Sequence, residues 1–328
     1  MYGELYTKYK TEVITDIISR TNIDATKLVR SKANDVIIPC SGETAEDIAT
    51  ARCVPYDNIL LGGDLNIIRL HGYDGSFMSY QLNGKRKYDI AKVAQGVSVV
   101  HLYGEHLKGV KTYAPSLEEQ KKIAKLLSLL DERIATQVRI IERLETLIRG
   151  IRYNAFKDIQ GKVFHLCDIA DIYQPQTISS SDLTTNGFPV YGANGVIGKY
   201  KTYNHETAQI CITCRGNTCG TVNYTQPKAW ITGNSMVVNI DKHKNEVNKR
   251  YLYHYLSEYN FKTIISGSGQ PQIVRTPLER IRITLPTIEK QAKVAHSMDL
   301  LLEKIGTEIS VRSLLEKQKQ YLLRQMFI

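Results

Sequence analysis

PSLEEQKKIAKLLSLLDERIATQVRIIERLETLIRGIRYNAF, at Pro115–Phe156, is the stretch that decides the fold. Its apolar residues recur at alternating steps of four and three, which is the heptad spacing of a long helix that pairs with another. They are Ile123, Leu127, Leu130, Ile134, Ile141, Leu144, Ile148 and Ile151, and Gln137 alone interrupts this seam. Ser116 and Glu119 form a capping box after Pro115, so we expect a helical rod of roughly 54 Å that ends near Arg152.

A second copy of this stretch lies near the end of the chain. Residues Pro286–Phe327 align with Pro115–Phe156 without a gap. Matching pairs include Pro115 and Pro286, Gln120 and Gln291, Ile134 and Ile305, Leu144 and Leu315, and Phe156 and Phe327. The second copy is less regular, because Arg312 and Lys319 fall on its seam. Since neither helix can bury its apolar stripe alone, we predict that the two copies fold back on each other as an antiparallel coiled coil.

Blocks upstream of the two helices also repeat in the same order, which is typical of duplicated domains. Asp35–Thr44 resembles Gln209–Thr218, Gly63–Leu70 resembles Gly233–Ile240, and Gln95–Tyr113 aligns with Ser266–Thr284. We therefore predict a first globular domain at 1–114, a long helix at 115–160, a second globular domain at 161–285 and a second long helix at 286–328. Phe164–Glu206 has no clear counterpart upstream, so the first domain is expected to be truncated at its front.

Short mixed strands and helices predict an α+β fold with a twisted sheet in each globular domain. Thr11–Ser19 is predicted to be helical, and Tyr251–Ile265 is predicted to be a helix whose tyrosines pack half in the core. Phe188–Gly198 is punctuated by glycines and is interpreted as a structural turn, or as a loop that presents Asn194, Lys199 and Tyr200 to a ligand. A phosphate loop is excluded there, because the spacing before Lys199 is wrong.

The composition favours an anionic partner and excludes a membrane protein. The 328-residue chain carries a formal charge of +10 and a pI near 9.1, which suits nucleic-acid binding but occurs in other soluble proteins too. No apolar run reaches the roughly 18 residues of a membrane span, and the first residues lack a signal-peptide pattern. We therefore expect a cytoplasmic protein whose six cysteines are reduced.

Catalytic and metal-binding patterns are absent from the sequence. Cys211, Cys214 and Cys219 lack an evident fourth ligand, so small core residues are expected rather than a zinc site. The histidines are not spaced as metal ligands, and no nucleophile or paired-carboxylate arrangement stands out. These observations favour a binding protein over an enzyme.

Polar side chains on glycine-containing loops are the candidates for contact with DNA. Arginine reads guanine, and glutamine or asparagine reads adenine, by two-pronged hydrogen bonds in the major groove. In the second domain the candidates are Lys199, Tyr200, Arg215, Asn217, Gln270, Gln272 and Arg275. In the first domain they are the turn residue Ser41 and the basic cluster Lys85, Arg86 and Lys87.

Four short motifs are similar to those of a known family. They are PSLEEQKKIA at 115–124, LDERI at 130–134, FPVYGANG at 188–195 and LLRQMF at 322–327. On these residues the chain resembles the specificity (S) subunits of type I restriction–modification systems, and the resemblance covers nearly the whole chain. A proline followed by a Leu-Glu-Glu-Gln helix entry, used twice in modified form, is the most specific part of it.

The resemblance implies two target-recognition domains that read the halves of a split double-stranded DNA site, with the helices as a spacer between them. The helices would dock two modification subunits, which would hold AdoMet and the methyltransferase chemistry, and a restriction motor subunit would join them. Residues expected to serve this docking are Leu127, Leu130, Ile134, Ile141, Leu144, Ile305 and Leu315. The chain itself would hold no cofactor, metal or catalytic residue. The alternatives are a coiled-coil scaffold or inactive fragment without DNA readout, and a nuclease with an unrecognised site.

Overall fold

A buried antiparallel sheet lies at the centre of the first globular domain. The structure is a computed structural model that describes residues 3–193, 195–267 and 269–327. Its elements up to the first long helix are α1 (Glu4–Thr7), β1 (Val29–Arg30), β2 (Asp35–Pro39), β3 (Ser41–Gly42), α2 (Ala45–Ile48), β4 (Arg52–Val54), β5 (Leu60–Leu61), β6 (Leu65–Ile68), α3 (Gly75–Asn83), α4 (Lys87–Val93), β7 (Val100–His101), α5 (Gly104–Leu107) and α6 (Leu117–Lys157). The apolar run of β2 is buried on both faces, and β2 is accordingly the central strand of the order β4-β2-β6.

Thr11–Ser19 is not helical in the structure and contains a single bridge residue, Val13, so the helix predicted there is wrong. Ile14 N–H donates to the Cys53 carbonyl at 2.9 Å, and Cys53 N–H donates to the Glu12 carbonyl at 2.8 Å. The segment is rich in threonine, valine and isoleucine, whose branched side chains favour extended backbone over helix. Ile14 packs with Ile37 against one face of the sheet, which gives this segment a place in the core.

The second globular domain is larger, and the strands described in it form sheets of four, three and two strands. Its elements and the second long helix are β8 (Lys162–His165), α7 (Leu166–Ile169), β9 (Asp171–Tyr173), β10 (Phe188–Gly192), β11 (Gly195–Tyr200), β12 (Ile210–Thr213), β13 (Val222–Tyr224), β14 (Trp230–Ile231), β15 (Ser235–Asn239), α8 (Lys249–Glu258), α9 (Arg275–Glu279), β16 (Arg282–Leu285) and α10 (Ile288–Gln325). One sheet has the order β13-β12-β15-β9 and the other β11-β10-β14, while β8 pairs with β16. Ile210 and Ile212 face the helices, whereas Cys211 faces Tyr191 and Ile231 of the second sheet.

The helix predicted at Tyr251–Ile265 ends early, at Glu258. Asn260 then caps a separate 3-10 turn at Phe261–Thr263 by accepting a hydrogen bond from Lys262 N–H. An asparagine side chain competes with the helical backbone for hydrogen bonds, which favours a break at this point. The tyrosines of α8 do pack in or against the core, as predicted, and Tyr251 is fully buried.

The two long helices are each shared between two compact units of the chain. Unit 1 comprises Met1–Ile140 and Glu308–Ile328, and unit 2 comprises Ile141–Thr307. In unit 1, Ala124 and Leu127 near the start of α6 pack with Leu323 and Phe327 at the end of α10. In unit 2, Phe156 at the end of α6 packs in one core cluster with Ala295 near the start of α10. The antiparallel pairing that the heptads predict is therefore confirmed within each unit.

Two polar residues on the seam are held by specific partners. Gln137 is buried and its side-chain amide donates to the carbonyl and the carboxylate of Glu308. Lys319 donates to the carboxylates of Glu12 and Asp131, and the Tyr80 hydroxyl donates to Asp131 at 2.7 Å. This second group joins α3 and the N-terminal segment to both long helices within unit 1, and it accounts for the lysine that breaks the heptad pattern.

Each globular domain is joined to the long helices by the same two contacts. Gln120 accepts a hydrogen bond from the backbone N–H of Asp74, the residue before α3, at 2.9 Å, and Gln291 does the same for Asn248 before α8 at 2.8 Å. The end of the other long helix then covers the helix of the domain with a phenylalanine. Phe327 meets Phe77 edge to face with ring centroids 5.3 Å apart, and Phe156 meets Tyr251 in the same way at 5.5 Å.

Candidate nucleic-acid interface

Three segments of the second domain converge at the end of strand β12. The hydroxyl of Thr213 donates to the Ala193 carbonyl at 2.7 Å, which fixes the tip of the β10–β11 hairpin beside the loop that follows β12. Gly216 N–H donates to the Pro271 carbonyl at 2.9 Å, and Ile273 N–H donates to the Cys214 carbonyl at 3.0 Å. The loop after β12 and the loop before α9 are thus joined as a short ladder. Buried Cys214 and Ile273 anchor it in the core.

Four of the predicted site residues lie on this pair of loops. Arg215 and Gln272 are opposite each other in an isolated antiparallel bridge. Both side chains are exposed, as are those of Asn217 and Gln270. Gly216 and Gly267 have φ angles of +83° and +86°, a left-handed conformation that side chains disfavour, so glycine suits both turns. The structure therefore places one guanidinium and three amides on two loops that backbone hydrogen bonds join.

Arg275 follows the same loop but is occupied by another contact. Its Nε lies 2.7 Å from a carboxylate oxygen of Glu279, one turn later in α9. It lines an open cavity of about 350 Å³ together with Asp171 and Lys242, which are themselves paired at 2.8 Å. Both cations of this cavity thus have acidic partners, and Arg275 is less available than Arg215 for an anionic ligand.

Lys199 and Tyr200 lie on strand β11, so the loop interpretation of this glycine run is wrong. β10 and β11 form an antiparallel hairpin whose register pairs Gly192 with Gly195 at the tip and Pro189 with Lys199 farther along. Lys199 is exposed, about 13 Å along the strand from the tip. The Tyr200 ring packs edge to face on Trp230 at 5.1 Å. Asn194, the third residue predicted to be presented there, lies outside the described residues.

The candidates in the first domain are dispersed. Ser41 is nearly buried and its hydroxyl donates to a carboxylate oxygen of Asp64, so its polar atom is already bonded within the domain. Lys85 is exposed in the turn between α3 and α4, while Arg86 is paired with Asp89 at 3.3 Å. Lys87 is half-buried as the first residue of α4. This turn packs against α10 in unit 1, since a Cβ on Gly84 would meet the Leu323 carbonyl oxygen at 2.6 Å.

The predicted docking residues of the long helices face inward. Leu127, Leu130, Ile141, Ile305 and Leu315 are buried, and Ile134 and Leu144 are half-buried. These side chains make the seam and the domain contacts of this chain itself. The long helices also carry a second apolar stripe, whose residues each precede a seam residue by one position in the sequence. This stripe was not predicted from the sequence. In unit 1 its members are each at least 36% exposed, and they are Leu126, Leu129, Ile140, Val311, Leu314 and Tyr321.

Burial keeps the cysteines of the second domain in the thiol form. Burial raises the pKa of Cys211 to about 12 and also raises the pKa of Cys214, and the two side chains belong to different hydrophobic clusters. A thiol must lose its proton to bind a metal ion, so burial of this kind disfavours a zinc site. Across residues 3–193, 195–267 and 269–327, histidine, cysteine and acidic side chains do not gather in threes as a metal site would need.

The family model for the type I restriction modification DNA specificity domain matches residues 4–146 and 160–317. The chain belongs to this family. The two matches cover both globular domains and most of both long helices. In the described part of the chain, no helix has the length and apolar character needed to cross a membrane.

Relatives within the specificity-domain family include subunits of named restriction enzymes. The type I restriction enzyme EcoprrI specificity subunit of Escherichia coli is 25% identical in an alignment 166 residues long, which covers 46% of this chain and 41% of that protein. A provisionally named specificity subunit of Haemophilus influenzae is 28% identical over 38% of this chain and 32% of its own length, so these two alignments span less than half of either relative. The MjaVIII specificity subunit of Methanocaldococcus jannaschii is 23% identical, and its alignment covers 97% of this chain and 84% of that protein.

A solved structure has the same fold as this chain. The crystal structure of the S subunit of a type I restriction–modification system from M. genitalium matches with a TM-score of 0.68 and 20% identity, over 100% of this chain and 91% of that one. The α+β fold with two domains and long antiparallel helices, as expected from the sequence, is thereby confirmed.

Proposed function

We propose that this chain is the DNA-recognition subunit of a type I restriction–modification complex, and that its second domain reads half of a split target through Arg215 and Gln272. The observation that carries the proposal is the backbone bridge that places these two exposed side chains opposite each other. Membership of the specificity-domain family supports the same role for the whole chain. The formal charge of +10 supplies the attraction to phosphates that positions such a reader.

The chemistry of the bridge suits base readout in the major groove. A guanidinium can donate two hydrogen bonds to guanine, and a glutamine amide can both donate to and accept from adenine. Such contacts discriminate best when little backbone freedom has to be lost on binding. The ladder between Cys214 and Ile273 provides that rigidity, and Asn217 and Gln270 extend the polar surface on either side.

The second apolar stripe of the long helices, in its exposed part within unit 1, is the proposed docking surface for a modification subunit. In an antiparallel pair of helices, positions just before the seam lie on the same side of both helices. Leu126, Leu129 and Ile140 on α6 therefore share a side with Val311, Leu314 and Tyr321 on α10. This replaces the predicted docking set, which the seam already uses. We also propose that the complex contains two modification subunits, which hold AdoMet and perform the methylation, and a motor subunit that joins them. This chain would then need neither a cofactor nor catalytic residues of its own. The complex would work in the cytoplasm, where chromosomal DNA lies.

Methylation mapping tests this function directly. The chain is co-expressed with its modification subunit, and methylated adenines are located across the host genome. A split two-part motif is expected. Arg215→Ala and Gln272→Ala should each relax one or two positions of one half and leave the other half intact. Arg282→Ala, at an exposed arginine on β16, is the matched control and should change nothing. Absence of any motif, or an unchanged motif in both variants, would contradict the proposal.

A further inference from the structure

The first domain contains the same set of backbone hydrogen bonds as the proposed reading site of the second domain, and we call this set the backbone frame. Gln95 and His101 exchange two backbone hydrogen bonds of 2.9 and 2.7 Å, and Ser266 and Gln272 exchange two of 2.9 and 2.8 Å. Leu102 N–H donates to the Cys40 carbonyl at 2.7 Å, as Ile273 N–H does to Cys214. In this frame β3 pairs Ser41 with His101 where the second domain pairs Arg215 with Gln272.

The side chains that occupy the frame differ between the domains. Ser41 stands at the position of Arg215, but its hydroxyl is bonded to Asp64 and it is only 7% exposed. His101 stands at the position of Gln272 and is exposed. In the first domain, therefore, the polar atoms available to a ligand come from the hairpin between Gln95 and His101 and not from the Ser41 segment.

This hairpin continues into an exposed row of rings. His101 and Tyr103 stack with centroids 6.1 Å apart and planes 18° from parallel. His106 meets Tyr103 edge to face at 5.6 Å, and Gln95 Nε2 lies 3.5 Å from His106 Nε2. Gln95, His101 and Tyr103 are all exposed, although aromatic rings usually avoid water. These groups are therefore accessible to a ligand from solvent.

We propose that the first domain reads its own half of the target through Gln95 and His101, with Tyr103 as the residue that positions the imidazole. The inference rests on the proposed function and names the readout site of the other half. Gln95 can make the paired amide contact with adenine, and an imidazole N–H can donate to N7 or O6 of a purine. The stacked Tyr103 ring fixes the plane of His101, and its hydroxyl can donate to a backbone phosphate.

The experiment uses the full chain with its modification subunit and the same methylation map. Gln95→Ala and His101→Ala should relax base choice in the half that Arg215→Ala leaves intact, with discrimination at the affected positions falling roughly 5- to 150-fold. Tyr103→Leu should relax the same positions as His101→Ala, and Tyr103→Phe should keep the base choice while lowering methylation of the whole site. His71→Ala, at another exposed histidine of this domain, is the matched control and should leave the motif unchanged.

Failure of this inference is distinct from failure of the proposed function. If the complex of the wild-type chain with its modification subunit methylates a split motif and Arg215→Ala relaxes one half, while Gln95→Ala and His101→Ala leave both halves unchanged, then the hairpin does not read DNA. Relaxation of the same half by Arg215→Ala and His101→Ala would also overturn it. Absence of a split motif in the wild type would overturn both proposals. Unchanged thermal melting of all variants is expected, because the substituted side chains are exposed.

Discussion

His254 is a fully buried titratable residue of α8 that contacts both long helices within unit 2. Its Nε2 lies 2.8 Å from Asp299 Oδ1, and its Nδ1 lies 3.3 Å from Arg152 Nη2. Burial lowers the pKa of His254 to about 4, and the positive charge of Arg152 acts in the same direction, although the hydrogen bond to Asp299 opposes both. At neutral pH the ring is therefore uncharged, accepts from Arg152 and donates to Asp299.

This histidine makes the stability of unit 2 depend on pH. In the unfolded chain the imidazole binds a proton near its ordinary pKa of about 6.5, whereas in the folded chain it does so only near 4. Between these values the unfolded state binds more protons, so the free energy of unfolding falls as the pH falls, by on the order of 3 kcal/mol in full. Urea denaturation between pH 7 and pH 4 should show this slope.

His254→Gln, which keeps a polar group at the site, should flatten the slope even if it lowers the overall stability. His296→Gln on the exposed face of α10 is the control and should keep the slope of the wild-type chain. A slope that persists unchanged in His254→Gln would show that another group takes up the proton.

Lys319 places a positive charge on the seam of the long helices, and its burial is tolerated because Glu12 and Asp131 pair with it. Its side chain is 13% exposed, and the side chains of Glu12 and Asp131 are 9% and 10% exposed. Lys319→Met should lower the free energy of unfolding by about 3–5 kcal/mol, because two buried carboxylates would lose the ammonium group that is bonded to both of them. Chemical denaturation monitored by helical circular dichroism measures this. Lys317→Met, exposed on the same helix, should have little effect, and equal stability of the two variants would refute the role of Lys319.

The phenylalanines at the ends of the long helices should act on different domains. Phe327→Ala removes the ring that covers Phe77, and Phe156→Ala removes the one that covers Tyr251. Truncation of a buried phenylalanine costs about 3–5 kcal/mol, which is the loss expected for Phe327→Ala, and a smaller loss is expected for the half-buried Phe156. Each loss should appear first in the helix that the ring covers. Hydrogen exchange should therefore rise in α3 for Phe327→Ala and in α8 for Phe156→Ala. Exchange that rises in the same helix for both variants would contradict these contacts.

At the scale of helices and strands, the sequence predicts what local signals determine and misses contacts between residues that are remote in sequence. The long helices were predictable because heptads and the capping box of Ser116 and Glu119 are local signals, and that box forms in the structure. The β10–β11 hairpin was mistaken for a loop because its glycines mask the alternation of a strand. The sequence shows that Lys319 interrupts the apolar heptad pattern of the second long helix. Its partners Glu12 and Asp131 could not be inferred, because both are remote from it in the sequence.

The candidate site was predictable to the extent that polar side chains on glycine-containing loops stand out in the sequence. This signal pointed to Arg215 and Gln272, and the structure joins their two loops by a backbone bridge. His101 occupies the matching point of the first domain, yet it was missed because histidine and glutamine share little chemistry. Comparison of backbone hydrogen bonds reveals the match where comparison of residue types does not.

Across the whole molecule, the formal charge of +10 should make DNA binding strongly dependent on salt. A protein that neutralises about six phosphates loses affinity by roughly a thousandfold between 50 and 200 mM salt. Titration of the assembled complex with duplex DNA should show such a slope. Arg215→Ala should weaken the preference for the target sequence and keep nearly the same slope, since a base contact differs from a phosphate contact in this respect. Binding that is insensitive to salt would favour the scaffold alternative.

The discontinuity of unit 1 has a consequence for the order in which the protein is made. Its last part, Glu308–Ile328, leaves the ribosome only after all of unit 2 has been synthesised. At about 5–20 residues per second, translation of residues 141–307 takes roughly 8–33 s. Throughout that interval Phe77 and Leu127 lack the cover of Leu323 and Phe327, and their apolar surface is open to chaperones or to other nascent chains. A stop codon introduced just before Glu308 would therefore damage the domain that was translated first.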